Sequence, residues 1–172
     1  LIKLDLIDIL LNAIGNPIAY SIIFLIYVIL AAIILPIPVE IGLFNPYINP
    51  IWLIIILGIG KGIGAFIVFN ISKTIRKKIK KSTIGENWKI TKKVILKSEI
   101  FVKKYGHYGL FIIMSIPLMV DSITLYLFSL LNPTEEKTSL TSAKFVIINS
   151  SAGAVRGIIV LLIFYYVGVK LI

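Results

Sequence analysis

Ile37-Pro38-Val39-Glu40-Ile41-Gly42-Leu43-Phe44-Asn45-Pro46 has a counterpart later in the chain. There, Ile116-Pro117-Leu118-Met119-Val120-Asp121 leads into Phe128-Ser129-Leu130-Leu131-Asn132-Pro133. Each copy has an apolar lead-in, a proline, an acid within a few residues, and then Asn-Pro. Each is followed by an apolar segment in which small residues surround a base: Gly60-Lys61-Gly62-Ile63-Gly64 in the first, Gly153-Ala154-Val155-Arg156-Gly157 in the second. Paired, proline-interrupted apolar segments in corresponding halves of a chain point to a transporter-like site within a membrane.

The bulk composition agrees with a membrane setting. The chain has 172 residues, of which 58% are hydrophobic, and a mean hydropathy of +1.00, beyond the ordinary range of soluble domains. Residues 18–39 carry no charge over 22 positions, enough for about 30 Å of hydrocarbon. Residues 41–60 and 62–72 are uncharged as well. Apolar segments recur to the last residue, so a cleaved signal peptide does not account for them. The sequence begins at Leu1 rather than at a methionine. There is no cysteine, which excludes disulfides, thiolate metal sites and cysteine nucleophiles. The excess of lysine over arginine and the many isoleucines suit a thermophile or an AT-rich genome equally.

The net charge of +10 comes from one place. Residues 72–107 hold twelve Lys or Arg against Glu86 and Glu99, while the rest balances six bases with six acids. A lysine cluster flanking membrane segments marks the cytoplasmic side and favours anionic headgroups. Aromatic residues are sparse within it, so nucleic acid is not an expected partner.

Along the chain, residues 1–17 read as a short amphipathic interfacial helix closed by Asn16-Pro17. Residues 18–71 form the first repeat: an apolar helix over 18–35, a stop at Pro36-Ile37-Pro38, a segment 39–45 too short to span, a turn between Asn45-Pro46 and Asn49-Pro50, and a spanning helix over 51–71. Residues 72–107 form a basic cytoplasmic linker, with surface helices and a break at Ser82 to Gly85. Residues 108–172 form the second repeat, with Asp121 in its hairpin, a polar loop over 132–143, and a helix from Ala143 to Lys170. Two architectures fit this order. If 18–35 and 109–131 both span, the repeats are parallel. If each proline-broken segment enters and returns on one side, the repeats are inverted. The second is expected, because two prolines and Glu40 need shelter from lipid and non-helical backbone at depth must be buried. The expected fold is therefore an all-α polytopic membrane protein: an inverted pseudo-repeat of a re-entrant helical hairpin plus a transmembrane helix.

Lys61 and Arg156 each fall near the middle of a spanning segment, where a base costs roughly 2.5–3.5 kcal/mol on insertion scales. Glu40 and Asp121 are their expected partners. These four form either an ion-paired lock or a polar cleft for a headgroup or proton. Asn149, Gly153 and Arg156 share one helix face, which adds Asn149 to the candidate substrate-binding set of Glu40, Lys61, Asp121 and Arg156. Pro36, Pro38 and Pro117 mark the hairpin tips. Ser150 and Ser151 suit packing or the site. The glycines four apart suit close helix packing. His107 reads as a surface residue beside Tyr105 and Tyr108. No metal cluster, phosphate-cradling loop or nucleophile motif appears in the sequence, so neither enzyme activity nor a cofactor is expected.

Three blocks resemble the DedA family, also called the VTT or SNARE-associated Golgi protein domain. Leu35-Pro36-Ile37-Pro38-Val39-Glu40 is similar to its Leu-Pro-x-Pro-Gly-Glu/Asp block. Gly60 to Gly64, running on to Ile71-Ser72-Lys73-Thr74, is similar to its Gly-rich helix. Tyr105-Gly106-His107-Tyr108-Gly109-Leu110-Phe111 to Pro117, Phe145 to Gly153 and Tyr166-Val167-Gly168 are similar to its second half. The resemblance covers about residues 18–170. It implies paired re-entrant hairpins and lipid movement across bilayers, as polyprenyl-phosphate translocation or phospholipid scrambling, proton-coupled in some bacterial members. Glu40 matches the family's loop acid. The stretch Tyr27 to Ala31 lacks the second glutamate of bacterial members. Met114 and Val120 stand where the family has hairpin arginines, and Asp121 is added, which puts proton coupling and phosphate binding by those arginines in doubt.

The expected function is transbilayer movement of a lipid or lipid phosphate, with membrane lipids, anionic ones foremost, as partners, possible homo-oligomers, and the prokaryotic plasma membrane as location. A small-solute or ion secondary transporter and a non-transporting membrane scaffold are the alternatives. A direct check of the hairpin is available because the chain has no cysteine. Single cysteines at Ala19 and Asn49 are expected to react with an impermeant thiol reagent from the same face of the membrane. Labelling from opposite faces rejects the hairpin.

Overall fold

The computed structural model describes residues 2–34, 37–81, 104–132 and 140–167. Among these, every regular element is helical. Helix α1 (Ile2–Asn12) turns Leu10 into the core and leaves Ile9 and Leu11 exposed, as a one-sided helix should. Asn16 then caps α2 (Pro17–Ile33): its side-chain oxygen accepts the Ala19 N–H at 3.1 Å. Pro17 occupies the first helical position, where its missing N–H has no helical partner to lose.

After α2 the chain reverses. Leu35 and Pro36 lie outside the described residues; the returning arm carries a 3-10 helix over Val39–Leu43. Hydrogen bonds fix its direction. The Tyr27 hydroxyl donates to the Pro38 carbonyl at 3.2 Å, the Tyr20 hydroxyl to the Gly42 carbonyl at 3.1 Å, and the Asn45 amide to the Ile14 carbonyl at 3.2 Å. Later residues of the arm meet earlier residues of α2, so the two run antiparallel. Gly42 is needed for this approach, because a Cβ there would enter the Phe24 ring.

Asn49 opens α3 (Pro50–Lys81) by accepting the Ile51 N–H at 2.9 Å. This helix corrects one expectation. It does not stop at residue 71 before separate surface helices; it continues as one helix through Lys81. No glycine or proline interrupts residues 65–81, lysine and arginine are good helix formers, and cations favour a helix C-terminus. The rest of the basic segment, including the Ser82 to Gly85 break, lies outside the described residues.

A helix over 104–115, α4, is followed by a turn at Pro117 and Leu118 and then by α5 (Asp121–Leu130). Tyr105 to Gly109 lie within α4. A Cβ at Gly109 would lie 3.6 Å from the Phe128 ring, so α4 and α5 fold back on each other. Asn132 closes the next connection, donating to the Leu140 carbonyl at 2.7 Å and accepting the Leu140 N–H at 2.9 Å. The last helix, α6, runs Ser142–Val167. Residues 133–139 and 168–172 lie outside the described residues, and with them most of the polar loop and the expected helix end at Lys170.

Helix α3 is the centre of the packing. Its Gly60 and Gly64 face Val28 and Ala32 of α2, and the Trp52 indole donates to Ser21 Oγ at 3.2 Å; the two helices therefore run parallel. Its Gly58 and Gly62 face Ser150 of α6, while Gly157 faces Ile54 and Leu57; these two run antiparallel. Two interleaved Gly-x-x-x-Gly faces serve two partners, because missing side chains let the backbones approach closely. Two apolar clusters result. One gathers Phe24, Leu53, Leu57 and Leu161 near the start of α3. The other gathers Val68, Leu110, Phe128 and Phe145 toward its far end. Among the described residues, two helical segments are long and apolar enough to cross a membrane: Pro50–Ile75, with a mean hydropathy of 2.3, and Ser142–Tyr166, with 2.0.

The glycine contacts are testable. Gly64→Val is expected to destabilise by about 1–3 kcal/mol, since the new side chain meets Ala32. Gly15→Ala meets nothing within 4 Å and is expected to be neutral or stabilising by up to about 1 kcal/mol. Thermal unfolding in detergent reads both, and equal midpoints for the two variants contradict the packing.

Candidate functional site

The first hairpin returns beside α2, and the second turns between α4 and α5. The returning arm and the second tip meet about a third of the way along α3 and midway along α6. Lys61 lies about 16 Å along α3 from Pro50, and Arg156 about 15 Å along α6 from Tyr166. Glu40 comes from the returning arm, and Asp121 is the first residue of α5. Sequence reasoning expected these four to pair, and they do.

Lys61 Nζ lies 3.1 Å from each carboxylate oxygen of Asp121. Arg156 Nη1 donates to Asp121 Oδ1 at 2.6 Å, and Nη2 donates to the Met119 carbonyl at 2.7 Å. Arg156 Nε is 2.7 Å from Glu40 Oε1 without hydrogen-bond alignment, so that contact is Coulombic. Glu40 Oε1 also accepts the Leu118 N–H at 2.9 Å. The first hairpin thus holds the tip of the second directly, and Arg156 holds both. Glu40 and Asp121 are each 5% exposed, Lys61 and Arg156 each 1%. At that burial an unpaired charge costs several kcal/mol, and each group requires its partner.

Local structure sets up this geometry. Pro38 precedes the 3-10 turn that carries Glu40. Pro117 precedes Leu118, which adopts a φ of 62°. That left-handed backbone costs a leucine of order 1–3 kcal/mol, and the charge-assisted bond from its N–H to Glu40 offsets a similar amount, about 1.5–3 kcal/mol. Lys61 lies over a glycine: a Cβ at Gly153 would sit 2.7 Å from Lys61 Cδ.

Other expectations separate from the site. Asn149 is fully buried, but its amide donates to the Phe145 carbonyl of its own helix at 2.8 Å, and it sits about two turns along that helix from Arg156. Its place among the substrate-binding residues gains no support from these contacts. Ser150 packs against Gly62, and exposed Ser151 bonds back to Ile147. His107 is half-buried within α4, between exposed Tyr105 and Tyr108. Pro36 lies outside the described residues. Sequence reasoning missed Leu118 N–H, the Met119 carbonyl, and the hydroxyls of Tyr20 and Tyr27. For the backbone groups no signal existed. For Asn45 and Asn132 one did, because the repeated Asn-Pro marks two asparagines that are both buried and hydrogen-bonded to backbone.

Pairing predicts a non-additive mutational pattern. Lys61→Met leaves Asp121 short of a partner and is expected to destabilise by roughly 3–5 kcal/mol. Adding Asp121→Asn removes the stranded charge and should restore much of that loss, since Arg156 keeps Glu40. A double variant no more stable than the single, by denaturant unfolding in micelles, contradicts the pairing. No family model, curated protein or solved structure matches this chain, so the charge cluster itself carries the functional argument.

Proposed function

We propose that this chain is an integral membrane protein that moves a lipid or lipid phosphate across the bilayer without covalent chemistry. Its exposed and buried faces support the membrane setting. Ile51, Ile55, Ile59, Ile63 and Phe66 form an exposed apolar stripe along α3, while Lys61 on the same helix is buried. Apolar residues outside and charges inside suit a hydrocarbon solvent. An unbroken exposed stripe of this kind is unusual on a soluble monomer.

In this reading the two hairpins are re-entrant, and the halves are related by inversion. The first hairpin opens toward the start of α3, where Asn45 meets Ile14. The second opens toward the far end, where Asn132 meets Leu140 and Phe145 stacks near Phe69. Each is followed by a membrane-length helix that starts at its own open end. The resemblance to the DedA family suggests the same arrangement.

One observation carries the functional reading: two bases, each near the middle of a membrane-length apolar segment, converge on two acids borne by the hairpins. A buried ion pair adds little stability over apolar packing, so stability alone does not account for four such charges. An anionic headgroup loses much of its hydration at the bilayer centre, and Lys61 and Arg156 are placed to replace part of it. Glu40 and Asp121 hold these bases until a headgroup competes. The hairpin tips do not run on through the bundle, so they can part without unravelling a spanning helix. The lysines of α3 beyond Ile75 would draw anionic lipid to the cytoplasmic surface.

The test is transbilayer movement of a fluorescent anionic lipid in proteoliposomes. The Lys61→Met/Asp121→Asn double variant keeps the internal charge balance and is expected to slow movement roughly tenfold, as loss of one charge-assisted contact implies. Lys77→Ala with Lys78→Ala is expected to weaken lipid recruitment only at low salt. If wild-type protein moves no lipid above empty liposomes, or the double variant matches it, the proposal fails.

A further inference from the structure

Among the described residues, buried polar side-chain atoms without a hydrogen-bond partner are unevenly placed. Glu40 Oε2 and Arg156 Nε belong to the charge cluster. The other four, Asn149 Oδ1, Ser129 Oγ, Ser72 Oγ and Ser142 Oγ, all lie between the cluster and the lysine-bearing end of α3. On the opposite side, the buried side chains of Tyr20 and Asn45 have partners, and their surroundings are Phe24, Leu53, Leu57 and Leu161.

The antiparallel register of α3 and α6 orders these groups. Lys61 meets Gly153, and Phe69 meets Phe145 with ring centroids 5.2 Å apart. By that register Ala65 lies level with Asn149, and Ser72 with Ser142. Ser129 approaches from α5, which packs on α3. Along the axes in that register, Asn149 lies about 6 Å from the level of Lys61, Ser129 about 12 Å from Asp121, and Ser72 and Ser142 both about 16 Å from Lys61. Successive steps of a few ångströms suit bridging water. A buried hydroxyl or amide oxygen without a partner costs about 1–3 kcal/mol, which water removes.

We propose that a water-accessible path leads from the lysine-rich end to the charge cluster between α3, α5 and α6, with the Phe69–Phe145 pair as its constriction. The cluster then meets water from that face alone. The path rests on the membrane placement proposed above but not on lipid movement. Its ligand is water, and any small hydrophilic reagent that follows water reports it. Ser72 and Ser142 lie outside the aromatic pair, and Asn149 lies inside it.

Cysteine accessibility in sealed, oriented vesicles tests this, in the otherwise cysteine-free chain. Lys73→Cys and Tyr47→Cys, both exposed and at opposite ends of the bundle, should label from opposite faces with an impermeant thiol reagent. Failure there rejects the membrane placement. With those controls in place, Ser72→Cys and Ser129→Cys are near-isosteric changes and should label from the Lys73 face. Their rate is expected to be about tenfold or more above Leu57→Cys, since a thiol enclosed in apolar packing is inert. Asn149→Cys should label more slowly than Ser72→Cys, and Phe145→Leu should speed Asn149→Cys without changing Ser72→Cys. The path is overturned if Ser72→Cys and Ser129→Cys react no faster than Leu57→Cys, or react from the Tyr47 face. Loss of the Phe145→Leu effect overturns the constriction.

Discussion

Arg156 cannot be left alone inside this bundle, and much of the architecture follows from that constraint. Its guanidinium reaches Asp121 and the Met119 carbonyl on one hairpin and Glu40 on the other. A planar group with several donors in a fixed fork can hold two elements at once, where an ammonium acts as a single point charge. Lys61 then shares Asp121 rather than requiring an acid of its own. Two bases and two acids balance, and the cluster sits in the interior without net charge. The hairpin tips are positioned by the same contacts, since Glu40 accepts the Leu118 N–H directly.

Close packing makes room for this polar centre. A lysine and an arginine occupy volume that an apolar core would fill, and glycines compensate. Gly153 accepts the stem of Lys61, while Gly60 and Gly64 bring α2 onto α3. The irregular backbone of the returning arm has few partners within its own segment. Tyrosine hydroxyls of α2 satisfy its carbonyls, at Pro38 and Gly42. In a low-dielectric setting such groups must be answered from within the protein, and a hairpin lying against α2 achieves that.

The two sides of the cluster differ in character. Toward the start of α3, apolar packing encloses polar groups that have partners. Toward the lysine-rich end, serine and asparagine oxygens face the interior without them. Similar sequence blocks therefore do not impose equal surroundings. The halves share proline, acid, Asn-Pro and a base among small residues, yet among the described residues the unpartnered serine and asparagine oxygens lie beside the second hairpin.

The amino-acid sequence by itself marked out the four charges, because a lone base or acid in a long apolar segment is conspicuous and must be paired. It also marked the prolines that end α2, the asparagine caps, and the glycine faces of α3, all of which act within a few residues or a helical turn. Tertiary structure alone decided which acid meets which base, because that choice depends on where two hairpin tips arrive after separate folding. It turned the Asn149 amide onto the Phe145 carbonyl of its own helix, a choice that helical spacing alone does not make. It extended α3 through Lys81, where composition suggested a boundary: a change from apolar to basic residues changes the solvent a helix prefers without breaking its backbone hydrogen bonds. And it set Leu118 in a left-handed turn, a conformation that a leucine does not advertise and that only the carboxylate of Glu40, brought from the other half of the chain, stabilises.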